Sequence, residues 1–206
     1  TAGKLSNAVS ILSKAREKHP ENLNLLLLLG NILSKAENWE GALNVWQKIN
    51  SLDPSRGNIT TKIATCHMKL NRLDLAEKTL NEAMVVDNDD INGLTILRQV
   101  YWKQSRHEDA LEIFKRLLNL DINNTLLWKN VISLSSRLSR LQDVQTYLDR
   151  AEKHFQKSVQ GNLELALIYE NLHFELKMRE HIEDFISENK TNHQLLHQGA
   201  EKFFES

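Results

Sequence analysis

His193 and His197 lie four residues apart, the spacing that sets two imidazoles on one face of a helix, where they can share a metal ion. Zinc-protease chemistry built on such a pair also needs a glutamate between the histidines and a third ligand elsewhere. Gln194 and Leu195 stand in the interval, no third ligand is evident, and the pair reads as ordinary surface histidines. Cys66 is the one cysteine, so neither an internal disulfide nor a cysteine zinc site can form, and its place in a helical pattern makes it a small packing side chain. The eight histidines are scattered rather than set beside a nucleophile, and there is no glycine-rich phosphate loop. The sequence therefore predicts a noncatalytic chain with no catalytic residues, no metal ligands and no cofactor. The triplets Asn58-Ile59-Thr60, Asn123-Asn124-Thr125 and Asn189-Lys190-Thr191 bear on function only in a secreted protein.

A different set is spaced for recognition rather than reaction. Lys35, Lys69, Lys103 and Arg137 recur every 34 residues. Such a ladder can hold an acidic ligand, but each member also ends a predicted helix, where a cation complements the dipole by ~0.3–1 kcal/mol. Of the four tryptophans, Trp39, Trp46 and Trp128 fall at packing positions, and Trp102 alone falls on another face.

The same interval governs the apolar residues that must position these groups. From Ala42, steps of 34 reach Ala76, Ala110, Val144 and, backwards, Ala8. With Ala42 as position 20, units begin at Leu23, Gly57, Ile91, Thr125 and Val159. Position 24 then reads Leu12, Trp46, Leu80, Phe114 and Leu148, and position 27 reads Ala15, Ile49, Ala83, Leu117 and Ala151. Intervals of four and three line one helix face. Positions 7 (Leu29, Ile63, Leu97, Val131, Leu165) and 11 (Leu33, His67, Tyr101, Ser135, Tyr169) mark another helix in the first half of each unit. Small residues at position 8, Gly30, Ala64 and Ala166, are expected to let the two helix backbones approach closely. Asn38, Asn71-Arg72 and Ser105-Arg106 make turns inside units, and Pro20, Pro54, Asn88 and Asn123-Asn124 punctuate their ends.

Composition narrows the function classes. A chain of 206 residues that is 41% hydrophobic, with 7 Gly and 2 Pro, can bury a core and is not of low complexity. Lys and Arg (26) and Asp and Glu (27) nearly cancel, which leaves no field to favour nucleic acid or an anionic membrane. The longest apolar run, Leu25 to Leu29, is far below the roughly 20 residues of a membrane span, so no insertion is expected. The compartment is unreadable.

With period 34, a small residue at 8, Ala at 20, Leu or an aromatic at 24 and Pro at 32 (Pro20, Pro54), the whole chain resembles the tetratricopeptide-repeat family. The resemblance implies an all-α, right-handed superhelical solenoid of antiparallel helix hairpins with about 12 helices, a single array over 1–206. Within it, 1–22 is a half unit, 23–56, 57–90, 91–124, 125–158 and 159–192 are full units, and 193–206 is a terminal capping helix, with Thr191 or Asn192 at its start and Leu196, Ala200 and Phe203 in frame. A start inside a hairpin suggests that a longer array precedes Thr1. Three departures stand out: Arg98 at position 8, which must snorkel or find a carboxylate such as Glu108 or Asp109; Ile132, Ser135 and Val144, where bulk moves around one interface; and Asn162 and Met178 in the last unit.

The resemblance also implies that first helices line a concave groove, at positions 2, 5, 9, 12 and 13. These are Asn24, Leu27, Asn31, Ser34 and Lys35; Asn58, Thr61, Thr65, Met68 and Lys69; Asn92, Thr95, Gln99, Trp102 and Lys103; and Leu126, Lys129, Ser133, Ser136 and Arg137. Asn, Gln and Thr suit the backbone of an extended peptide, and Met68 and Trp102 an apolar side chain. Glu164, Glu170, Glu201 and Glu205 give the far end the opposite sign, which would fix peptide direction. The carboxylate clamp by which some family members hold Hsp70 or Hsp90 C-termini is not matched: Asn31 fits, but Leu27, Lys62, Asn92 and Ile96 do not.

The expected function is a noncatalytic protein-interaction scaffold that binds an extended peptide or partner segment and assists assembly of a larger complex. The alternatives are the recognition arm of a larger enzyme or of a transport or secretion machine and, more weakly, an RNA-binding helical repeat. Self-association through an end helix such as 193–204 is a further expectation.

Overall fold

A computed structural model describes residues 2–54, 58–85, 87–155 and 161–188, together with 194, 196, 197 and 201. Among these, eleven helices are defined and there is no strand: α1 (Ala2–Lys18), α2 (Leu23–Lys35), α3 (Trp39–Leu52), α4 (Ile59–Lys69), α5 (Leu73–Met84), α6 (Ile91–Lys103), α7 (His107–Leu120), α8 (Thr125–Arg137), α9 (Leu141–Phe155), α10 (Gly161–Asn171) and α11 (Glu175–Glu188). The helix expected over 193–206 lies largely outside the described residues, as do Thr191, Asn192, Ala200 and Phe203. The chain forms two compact units, Thr1–Arg106 and His107–Ser206.

In the first unit each helix packs on the next, and α4 also lies beside α6. Leu26, Leu29, Leu33, Ala42, Trp46, Ile49, Ile59 and Ile63 form one core cluster, and Met68, Ala76 and Val100 form another. Each fully buried Leu or Ile contributes ~1.5–3 kcal/mol. At position 8 of α2 the small residue makes room for a side chain of the paired helix: a Cβ on Gly30 would stand 2.7–2.9 Å from ring atoms of Trp46, where only glycine leaves space for the buried indole.

In the second unit, α8 packs on α7 and α9, and α10 on α8, α9 and α11. Its core is built around Trp128, Val131, Ile132, Tyr147, Leu148, Phe155, Leu165 and Ile168. The buried Trp128 indole N–H donates to the Ile122 carbonyl at 2.8 Å, so its burial leaves no polar atom stranded. Ile132 and Ser135 are both fully buried, which is the expected transfer of bulk between positions 8 and 11. Arg98, in the first unit, is half-buried, and desolvation holds its guanidinium below its ordinary pKa.

Glu37, Asn71, Ser105, Ser139 and His173 all have φ between 56° and 60°. They are spaced by 34 residues, and each is the turn inside a hairpin. The bonds around Glu37 recur at all five turns: its N–H reaches the Ser34 carbonyl, and the next N–H, of Asn38, reaches the Leu33 carbonyl. This is the Schellman helix stop, which satisfies the last carbonyls of the first helix. None of the five is glycine, so each pays about 1 kcal/mol for the left-handed conformation.

Caps and ion pairs finish the hairpins. Asn22, Asn38, Asp90 and Asn124 accept first-turn N–H groups with their side chains. Arg72, Arg106 and Arg140 stand one residue after the left-handed turn, and each reaches back to the preceding second helix: Arg72 to Glu40, Arg106 to Glu77 at 2.7 Å, and Arg140 to Glu108 and Glu112 at 3.2 and 3.1 Å.

Candidate functional site

The first helices of the first unit place their polar side chains as their spacing dictates. On α2, Asn24, Asn31 and Lys35 are exposed and Leu27 is half-buried. On α4 and the residue before it, Asn58 and Lys69 are exposed, and Thr61 and Thr65 are half-buried. On α6, Asn92, Trp102 and Lys103 are exposed, and Thr95 and Gln99 are half-buried. Met68 differs from expectation. It is 3% exposed and packs with Ala76 and Val100, because α6 covers position 12 of α4, so it cannot offer an apolar contact to a ligand.

Between α4 and α6 lies a cavity of about 370 Å³. Asn58, Thr61, Lys62 and Thr65 line it from one side, and Asp90, Asn92, Thr95 and Ile96 from the other. Five of the expected residues thus meet in one place, while Asn24, Leu27, Asn31, Gln99, Trp102 and the helix-end lysines lie outside its lining. Lys62, Ile96 and Asp90 were missed as site residues. The sequence held a signal for Asp90, since an aspartate just before an apolar-periodic helix is an N-cap.

The Asp90 carboxylate accepts from the Asn92 N–H at 3.0 Å and from the Thr61 hydroxyl at 3.1 Å. The Thr65 and Thr95 hydroxyls donate to the carbonyls of Thr61 and Ile91, each at 2.7 Å. The Lys62 ammonium is 3.4 Å from Asn31 Oδ1 and 4.9 Å from the centre of a Trp46 ring.

The basic ladder sits at helix C-termini. Lys35, Lys69, Lys103 and Arg137 each sit in the last turn of a first helix, and the Lys69 ammonium lies 5.7 Å over the Trp39 ring. In the second unit, Leu126, Ser136 and Arg137 are exposed, and Lys129 and Ser133 are half-buried. The Glu164 carboxylate accepts the Thr125 hydroxyl, and Glu201 pairs with His197 at 3.3 Å. Cys66 is buried, and desolvation pushes its thiol up to about 11, which leaves almost no thiolate near neutrality. No described helix is long and apolar enough to cross a membrane.

Residues 1–56 match the sequence model of the tetratricopeptide repeat. The crystal structure of MamA superposes with a TM-score of 0.60 over 74% of this chain and 91% of that one, at 16% identity. YrrB, described as a TPR protein with an unusual peptide-binding site, gives a TM-score of 0.54 over 91% of this chain and 96% of that one, at 17% identity. The chain thus has the tetratricopeptide-repeat fold. At the sequence level, the repeats are 23% identical over 148 residues to protein O-mannosyl-transferase TMTC1 of Homo sapiens, covering 72% of this chain and 16% of that protein. They are 25% identical over 125 residues to FK506-binding protein 59 of Drosophila melanogaster, covering 55% of this chain and 28% of that protein. The chain thus spans well under a third of either relative.

Proposed function

We propose that this tetratricopeptide array is a noncatalytic scaffold that binds an extended segment of a partner protein along the first-helix face of its first unit and so assists assembly of a larger complex. The observation that carries the reading is the polar cavity between α4 and α6, where Asn58, Thr61, Thr65, Asn92 and Thr95 converge. Their hydrogen-bonding groups suit a peptide backbone, whose N–H and C=O groups are unpaired when it is extended. A peptide-binding site is also named for YrrB.

Affinity capture with the wild type, Thr65→Arg and Trp102→Ala tests it. Thr65→Arg fills the cavity and is expected to lose partners that the wild type retains, and Trp102→Ala to weaken those whose contact extends along α6. Equal recovery of every partner by all three proteins would move the binding surface elsewhere.

The relatives' lengths favour a second reading, in which the array is the recognition arm of a larger enzyme or machine. The matched region is only 16% of a protein named as a mannosyl-transferase. The length of the native gene product decides between the two.

A further inference from the structure

The cavity between α4 and α6 has a hydrogen-bonding polarity that its residue types alone do not reveal. A threonine hydroxyl carries one proton and two lone pairs. Thr61 spends its proton on Asp90 Oδ2 at 3.1 Å, Thr65 on the Thr61 carbonyl at 2.7 Å and Thr95 on the Ile91 carbonyl at 2.7 Å. All three therefore present lone pairs only. Asp90 is an acceptor by nature, and its two recorded bonds leave carboxylate lone pairs over. Its position is built in: Gly93 is buried, and a Cβ there would come within 2.7 Å of Asp90 Oδ2, so the glycine lets the carboxylate fold over the start of α6. That carboxylate occupies the helix N-terminus, where an anionic ligand would otherwise be drawn.

Among the described residues, Lys62 is the one cationic donor in the lining, and its ammonium is directed towards α2 and α3, to Asn31 and the Trp46 ring. The Asn58 and Asn92 side-chain amides at the rim can both donate and accept, and the rest of the lining is an acceptor-rich recess with one carboxylate and an apolar flank at Ile96. Asp87 and Asp89 add two exposed carboxylates in the loop that leads to it. A carboxylate ligand would meet lone pairs and like charge. A guanidinium brings five N–H donors in a planar fork that matches a carboxylate, with a methylene stem that can lie along apolar surface.

We propose that this cavity takes the side chain of an arginine in an extended peptide, its guanidinium on Asp90 and the lone pairs of the threonine hydroxyls and its stem along Ile96. The proposal rests on the reading of this face as a peptide-binding surface and names the side chain that the face selects.

The test is an amide-resonance titration of the 206-residue chain with three capped peptides, Ac-Ala-Ala-Xaa-Ala-Ala-NH2, where Xaa is Arg, Gln or Glu. The Arg peptide is expected to shift the amides of Thr61, Thr65 and Thr95 and to bind about ten-fold more tightly than the Glu peptide, the factor that one charge-assisted pair supplies. Asp90→Asn keeps an N-cap of equal quality. It is expected to cost the Arg peptide about ten-fold and to leave the Gln peptide unchanged.

Equal affinity of the Arg and Gln peptides at these resonances would overturn the arginine preference while leaving the peptide-binding face in place. A Glu peptide that binds as tightly as the Arg peptide, or an Arg affinity untouched by Asp90→Asn, would overturn it as well. So would the absence of shifts on α4 and α6 with any of the three. The face itself stands or falls separately, on the capture experiment with Thr65→Arg.

Discussion

At position 5 of the frame, α4 and α6 carry Thr61 and Thr95, half-buried and lining a cavity, whereas α10 carries Leu163, which is buried. Position 9 repeats the contrast: Thr65 and Gln99 on α4 and α6, buried Leu167 on α10. The run Leu165 to Tyr169 is buried throughout, so α10 is a core helix on nearly every side, packed by α8, α9 and α11. One 34-residue ruler thus builds hairpins in both units. It says where the first-helix face lies but not whether that face is open to a ligand, which depends on the residues between the ruler marks.

The comparison can be broken most severely at the two buried tryptophans. Trp46→Ala and Trp128→Ala are each expected to cost ~3–5 kcal/mol in urea unfolding. The Trp128 change also leaves the Ile122 carbonyl without its indole donor. A loss below about 1 kcal/mol at either site would mean that the core does not depend on it.

Exchanging the position 5 residues should cost much less and should be asymmetric. Leu163→Thr puts a hydroxyl in the buried face of α10 and is expected to cost ~1–3 kcal/mol. Thr95→Leu on the open face of α6 should stay within about 0.5 kcal/mol. Equal costs would erase the distinction between the two faces. Gly30→Ala drives a methyl group into the Trp46 ring and should cost ~1–3 kcal/mol, partly offset by better helix propensity.

Glycine at the left-handed turns should act the other way. Ser105→Gly in the first unit and Ser139→Gly in the second should each stabilise by up to about 1 kcal/mol, read as a higher Tm. A lower Tm in both would contradict the left-handed geometry.

The mildest effect is a tilt with pH. Among the described residues, each unit buries one histidine with its pKa pushed down by desolvation: His67 near Arg72 and Glu40, and His181 near Glu180, Glu152, Lys177 and Asp184. The His181 ring stacks on Tyr169 at 5.4 Å, and its Nδ1 is 3.1 Å from Asn162 Oδ1. Because the folded state favours neutral imidazole, the unfolded chain takes the proton first as pH falls. Stability is complete above the ordinary histidine pKa of about 6.5 and declines below it. His181→Gln should reduce, without abolishing, the drop in urea midpoint between about pH 7.5 and about pH 5.5, since His67 remains. An unchanged drop would remove His181 from the account.

The frame was legible in the sequence because hairpin packing demands apolar residues at fixed positions, and Leu29, Ala42, Trp46, Ala76, Leu80 and Ala110 are buried as that demand requires. The stop inside each hairpin was only half legible. Its signal is usually glycine, and here two backbone bonds hold five other residues in the left-handed conformation. Met68 was misread because its burial comes from Val100 on the neighbouring first helix, a contact between units of the frame that no single unit encodes. The part played by Asp90 was hidden for a similar reason, since it depends on the missing side chain of Gly93 and on the Thr61 hydroxyl 29 residues away.

The left-handed stops have a practical corollary. Glu37, Asn71, Ser105, Ser139 and His173 are all exposed, and their backbone, not their side chain, makes the turn. Each is therefore a handle at which a cysteine-linked dye or cross-linker can be mounted with the packing of its hairpin undisturbed. Cys66, buried with its thiol protonated, would stay silent in the labelling reaction.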